Sequence, residues 1–139
     1  MSVPQYKRGE GKFNVLVEAN LLAVHSIQIV SNPNTFDQKY HSAMGNDLIE
    51  TSKDIFISAY TGNEIKVENK GQALERLRLI EHSILYCDRL LALIQLAKKL
   101  YHLDSKRVKF WGEKTLSVKE SLKKWYQSEC KRYRDILSR

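Results

Sequence analysis

The chain has 139 residues, 42% hydrophobic and 28% charged, with a net charge of +7 and a pI near 9.4. That is the size and balance of one globular domain with one core, and the positive excess points to partners of opposite sign. Two prolines and six glycines are too few for a sandwich or barrel that turns often, and no uncharged, predominantly apolar run reaches the length of a membrane span.

Residues 1–12 hold one Pro, two Gly and four charges, and read as a mobile arm of net charge +2 ahead of a domain over 13–139. They contain no apolar signal region. Cys87 and Cys130 form no CxxC pair, so a reducing cytoplasm is expected. A first helix is predicted from Phe13 to Val30, with Val15, Ala19, Leu22 and Ile29 sharing a face. Its one charge is Glu18, which predicts a largely buried helix. Ser31-Asn32-Pro33-Asn34-Thr35 punctuates the chain with a proline and several N-cap candidates. A second helix is predicted from there to about Tyr60, turning Phe36, Tyr40, Met44, Leu48, Ile55 and Phe56 inward, with Gly45 marking a close helix crossing. Thr61-Gly62-Asn63-Glu64 reads as a stop, and residues 63–72 as a loop or frayed helix start.

Residues 74–101 are apolar on two sides at helical spacing. One stripe is Leu77, Ile80, Ile84, Cys87, Leu91 and Ile94; the other is Leu79, Tyr86, Leu90, Leu93, Ala97 and Leu100. A helix with two stripes must be covered from two directions, and in so small a chain the second cover is expected from another copy. Leu79, Tyr86, Leu90, Leu93 and Leu100 are therefore candidate oligomer contacts. His102 to Ser105 is a short connection, capped by Asp104 or Ser105, and a fourth helix follows with Val108, Trp111, Val118, Leu122, Trp125 and Ile136 inward. Short connections between long helices predict an all-α, antiparallel up-down four-helix bundle.

Lys and Arg against Asp and Glu count two to five over residues 13–62, five to three over 73–101, and eleven to five over 102–139. The last helix thus carries most of the excess. Lys109, Lys123, Lys124, Lys131, Arg132 and Arg134 are candidate phosphate contacts to RNA or DNA, with Lys109, Lys123, Lys131 and Arg134 able to approach one face. The bland alternative is a solvated face balanced by Glu113, Glu120, Glu129 and Asp135, with Glu120 paired to Lys124. Trp125 reads as core; Tyr126 and Tyr133 can face either way. The four histidines stand singly, and no GxSxG elbow, phosphate-binding glycine loop or ExxH pair occurs, so no catalytic, metal or cofactor site is predicted.

The segment Phe36 to Trp125 also resembles a family. The quoted features are a Phe after a Pro-containing loop and a helix ending near Ala59-Tyr60-Thr61. To these add the block Ala73-Leu74-Glu75-Arg76-Leu77-Arg78, the run Arg89-Leu90-Leu91…Leu96-Ala97-Lys98-Lys99-Leu100, and the Leu122…Trp125 ending. Together they are similar to the accessory variability determinant (Avd) proteins of diversity-generating retroelements, and to the bundle proteins of bacterial rRNA intervening sequences. Lys123-Lys124 departs from that pattern, where relatives often carry small residues. The resemblance implies a barrel-shaped homopentamer that binds a reverse transcriptase and its RNA, supports mutagenic cDNA synthesis and is not itself a catalyst. The alternative it leaves open is a structural or RNA-binding bundle of another mobile element, or of an rRNA intervening sequence, without a reverse transcriptase.

Overall fold

A computed structural model describes residues 3–139, with side chains from Asn14 onward. Its elements are helix α1 (Val3–Val30), a 3-10 turn (Gln38–Tyr40), a π-helical turn (His41–Gly45), α2 (Asn46–Glu64), α3 (Lys70–Tyr101), α4 (Ser105–Arg132) and a short α5 (Arg134–Leu137). Among the described residues there is no strand, and the chain is a helical bundle. The expected mobile arm falls on Met1 and Ser2, which lie outside the described residues. It also falls on positions whose backbone continues α1 but whose side chains lie outside them.

The second helix begins later than its apolar spacing predicts. Phe36 is buried as expected, but it sits in the loop, where its backbone N–H donates to Asn32 at 2.8 Å. Two tight turns then bring the chain to Asn46. Gly45 does not mark a helix crossing: a Cβ there would meet the His41 ring at 2.7 Å. The close crossing is at Gly62, where a Cβ would lie 3.2 Å from Leu79 Cβ and 3.4 Å from the Arg76 carbonyl. Helix α3 starts at a reciprocal cap. Asn69 Oδ1 accepts from Gln72 N–H at 2.9 Å, while Gln72 Oε1 accepts from Glu68 N–H at 2.7 Å.

Both α2 and α4 pack on α3, and both also pack on α1. This corrects the expectation that a second copy covers the second stripe of α3. Leu90 is 0% exposed within the single chain and belongs to the core. Tyr86 and Leu93 are half-buried against that core, Leu79 faces Gly62 of α2, and Leu100 is half-buried at the end of the helix. Two stripes are what a bundle helix with two intrachain neighbours requires. The core itself joins Val15, Ala19 and Leu22 to Leu48, Ile55, Ile80, Cys87, Ile94, Trp111, Val118 and Leu122.

Polar bonds fix the helices in phase. Ser83 donates to the Ile55 carbonyl at 2.6 Å and Arg89 to Thr51 at 3.2 Å. Trp111 Nε1 donates to Ser26 at 2.9 Å, and Ser117 and Ser121 both donate to Glu18. The largest polar contribution comes from Arg76, which is buried. Its Nε and Nη2 bind the buried Glu129 carboxylate of α4. Its Nη1 donates to the carbonyls of Gly62, Asn63 and Ile65 at 3.2, 3.1 and 3.2 Å. Those carbonyls cluster at the C-terminal end of α2, where helices leave acceptors without partners. The guanidinium also lies 5.7 Å from the Trp125 ring centre. Removing one partner strands a charge in the interior. Glu129→Ala is expected to lower the unfolding free energy by about 3–5 kcal/mol, read by urea denaturation. A loss typical of an exposed pair, below about 1 kcal/mol, would show that the pair holds little.

His25, in the α1–α4 seam, packs edge-on to Phe110 at 5.4 Å, and its Nε2 is buried without a partner. Burial, with Lys114 and Arg107 adding to it, holds its pKa below 6.5. The unfolded chain therefore takes up the proton first. The stability this group contributes is complete above 6.5 and is lost as pH falls from there toward the folded pKa. His25→Gln should shrink the drop in melting temperature between neutral and mildly acidic buffer. An unchanged drop would place the acid sensitivity elsewhere.

Candidate nucleic-acid interface

Helix α4 turns Val108, Trp111, Thr115, Val118, Leu122, Trp125 and Glu129 inward, so its phase is set over its whole length. Lys109, Lys123, Lys124 and Lys131 are all exposed. At about 100° per residue they fall within an arc of roughly 100° opposite the core, and at 1.5 Å per residue they span about 33 Å. Lys106 shares that arc, with Glu113 and Glu120 interspersed. Glu120 pairs at 3.8 Å with Lys123 rather than Lys124, and both partners are exposed, so the pair is weak. Among the described residues Lys109, Lys124 and Lys131 have no carboxylate within ion-pair distance. Lys119, by contrast, leans toward α3, where its ammonium is held by Asp88 at 2.7 Å.

Two predicted contacts leave this face. Arg132 turns off the arc, packs at 5.1 Å over the Tyr133 ring and reaches Glu129 at 3.6 Å. Arg134 lies beyond a break at Tyr133, in α5, so the periodicity that aligned it with Lys131 does not extend to it. Trp125 is buried as expected, and Tyr126 and Tyr133 are half-buried.

The other outer faces have different characters. The face of α2 carries Asp47, Glu50, Asp54 and Glu64 against Lys53. Between Asn14 and Val30 the one charged residue of α1 is Glu18, which is bound to α4, so Val17, Leu21 and Val24 stand exposed with no charge among them. On α3 the exposed line is Leu74, Leu85 and Leu96, spaced by eleven residues, or three turns; Leu85 is 59% exposed. These leucines belong to neither predicted stripe. A signal for them existed: after both core stripes are assigned, they are the leucines of α3 left over.

Nothing in the described side chains assembles a nucleophile or a metal cage. Burial pushes the Cys87 thiol up to about 12, and such a thiol is inert. Among the described residues no group of three His, Cys, Asp or Glu could hold a metal ion, and no helix is long and apolar enough to cross a membrane. No family model matches the sequence, and no curated protein or solved structure matches it.

Proposed function

We propose that this protein is a non-catalytic accessory subunit that binds RNA or DNA through the outer face of α4, as an antiparallel up-down bundle assembled into a closed homo-oligomer. The observation that carries the reading is the row of exposed lysines on α4, set against an acidic α2. Such a row attracts phosphates without reading bases. The retroelement role, with a reverse transcriptase as protein partner, rests on the resemblance of Phe36 to Trp125 to the Avd proteins.

The antiparallel reading is supported by the cross-helix pairs. Positions 51, 55 and 62 of α2 bond to 89, 83 and 76 of α3, so one number rises as the other falls. Positions 76 and 88 of α3 bond to 129 and 119 of α4 in the same way. Assembly is supported by two exposed apolar lines. Because α1 and α3 each pack on α2 and α4, the α1 and α3 lines lie on opposite corners of the bundle. One copy's α1 line can seat on the next copy's α3 line, a head-to-tail contact that closes when its rotation allows.

Lys123→Glu with Lys131→Glu should abolish most binding of a fluorescent RNA at low salt while leaving helical content and assembly mass unchanged. Wild-type binding should fall steeply as salt rises, since each neutralised phosphate releases counterions. Salt-insensitive binding, or full binding by the double variant, would move the site off α4. For the assembly, Leu85→Glu should split it into folded units of 16.2 kDa, measured by light scattering, because it traps a charge at the contact. A wild-type chain that already runs at that mass would end the assembly reading.

A further inference from the structure

At one end of the bundle, the connection after α1 folds against the end of α3 and leaves an open cleft of about 570 Å³. That volume lies within the roughly 300–1,000 Å³ of ordinary ligand clefts. Asn34, Asp37, Lys39, Tyr40, Tyr101 and His102 line it. Its aromatic wall is rigid. The Tyr101 ring packs on buried Phe36 at 4.4 Å and meets the Tyr40 ring at 5.7 Å, nearly perpendicular. Tyr101 Oη also donates to the Tyr40 carbonyl at 3.4 Å. Both tyrosines are half-buried.

The charge around this end is positive. Residues 98–109 hold Lys98, Lys99, Lys106, Arg107 and Lys109 against Asp104 alone. Within the lining itself Lys39 is paired to Asp37 at 3.8 Å, with its ammonium 5.1 Å from the Tyr40 ring centre. Lys106 and Lys109, the first residues of the α4 lysine row, follow the cleft residue His102 by four and seven positions. His102 caps α3 with φ 56° and ψ 49°, where glycine would sit without strain, yet here an imidazole forms part of the wall.

Resting on the nucleic-acid reading above, we infer that this cleft stacks one unpaired nucleobase of the strand whose phosphates follow α4. The base stacks on the one Tyr40 ring, with Tyr101 nearly perpendicular as a side wall and Asn34 lining the cleft at the base edge. The neighbouring lysines hold the flanking phosphates. A duplex keeps its bases stacked inside and gains nothing from the cleft, so the site adds a preference for single strands.

The test is fluorescence anisotropy with short single-stranded RNA, the same sequence as DNA, and a duplex of the same length. Tyr40→Leu should weaken single-strand binding about tenfold, while Tyr40→Phe keeps the ring and most of the affinity. Duplex binding should not change in either. His102→Gly removes the imidazole and relieves the left-handed backbone, so it should weaken single-strand binding with no loss of melting temperature. It decides the question if Tyr40→Leu fails to fold. A loss with RNA, with DNA or with both supports the site and identifies the strand it takes. Single-strand binding unchanged in Tyr40→Leu and His102→Gly, or duplex binding that falls equally, overturns the cleft while leaving the α4 interface standing. A wild-type chain that binds none of the probes removes both.

Discussion

A guanidinium sealed among three helices constrains this bundle more than any single apolar contact. Arg76 of α3 must satisfy its donors inside the protein, and it does so on the Glu129 carboxylate of α4 and on three carbonyls at the end of α2. Apolar contacts tolerate a helix that slides or rotates by a fraction of a turn, whereas this network does not. With Glu129 held inward, Lys109, Lys123, Lys124 and Lys131 are each carried about 120° or more around α4 from it. The interior pair therefore adds to Val108, Trp111, Val118, Leu122 and Trp125 in holding the lysine row outward. Stability and the charged surface are linked through one side chain.

The sequence made the helices legible because their apolar residues recur at helical spacing, and the two-sided pattern on α3 correctly implied cover from two directions. Periodicity does not say what provides the cover, and α2 takes the place assigned to a second copy, with Leu90 in the core. The clamp is hidden in the sequence because Arg76 and Glu129 read as surface charges. A trace of it was present. Arg76 stands in phase with Ala73, Ile80, Ser83 and Cys87, and Glu129 with Leu122 and Trp125, so each core stripe contains one charge, of opposite sign. Two such intrusions on neighbouring helices have one inexpensive solution, which is to meet.

The connection after α1 failed to read as loop for a different reason. Phe36, Tyr40 and Met44 repeat every four residues, which fits a helix, and Phe36 does reach the core. A 3-10 turn followed by a π turn places the same side chains in nearly the same direction, so the apolar pattern is satisfied without a regular helix. The cleft exists because of that irregularity. A straight helix from Pro33 would not fold Asn34 and Asp37 back beside Tyr101. Spacing could therefore locate the aromatic residues but not the hollow they line.

Four outer faces of different character follow from four helices held in phase. The α1 corner is apolar from Val17 to Val24, the α3 corner carries a leucine line among charges of both signs (Arg78, Glu81, Asp88, Arg89, Lys99), the α2 corner is acidic and the α4 corner basic, and the two exposed apolar lines stand on opposite corners. The association proposed through α1 and α3 would leave the two charged corners uncovered, so it would not compete with the proposed phosphate binding for surface. In the proposed closed ring, repeating one head-to-tail contact relates every copy to the next by the same rotation. The α4 rows would then share one side of the ring wall and the α2 acids the other. A polyanion meeting the basic side engages several copies at once, and each further contact forms at the high effective concentration set by the first. The acidic side repels the same strand. On this argument a modest row of lysines in one chain becomes a strong and one-sided surface in the oligomer, without any residue that reads a base along α4.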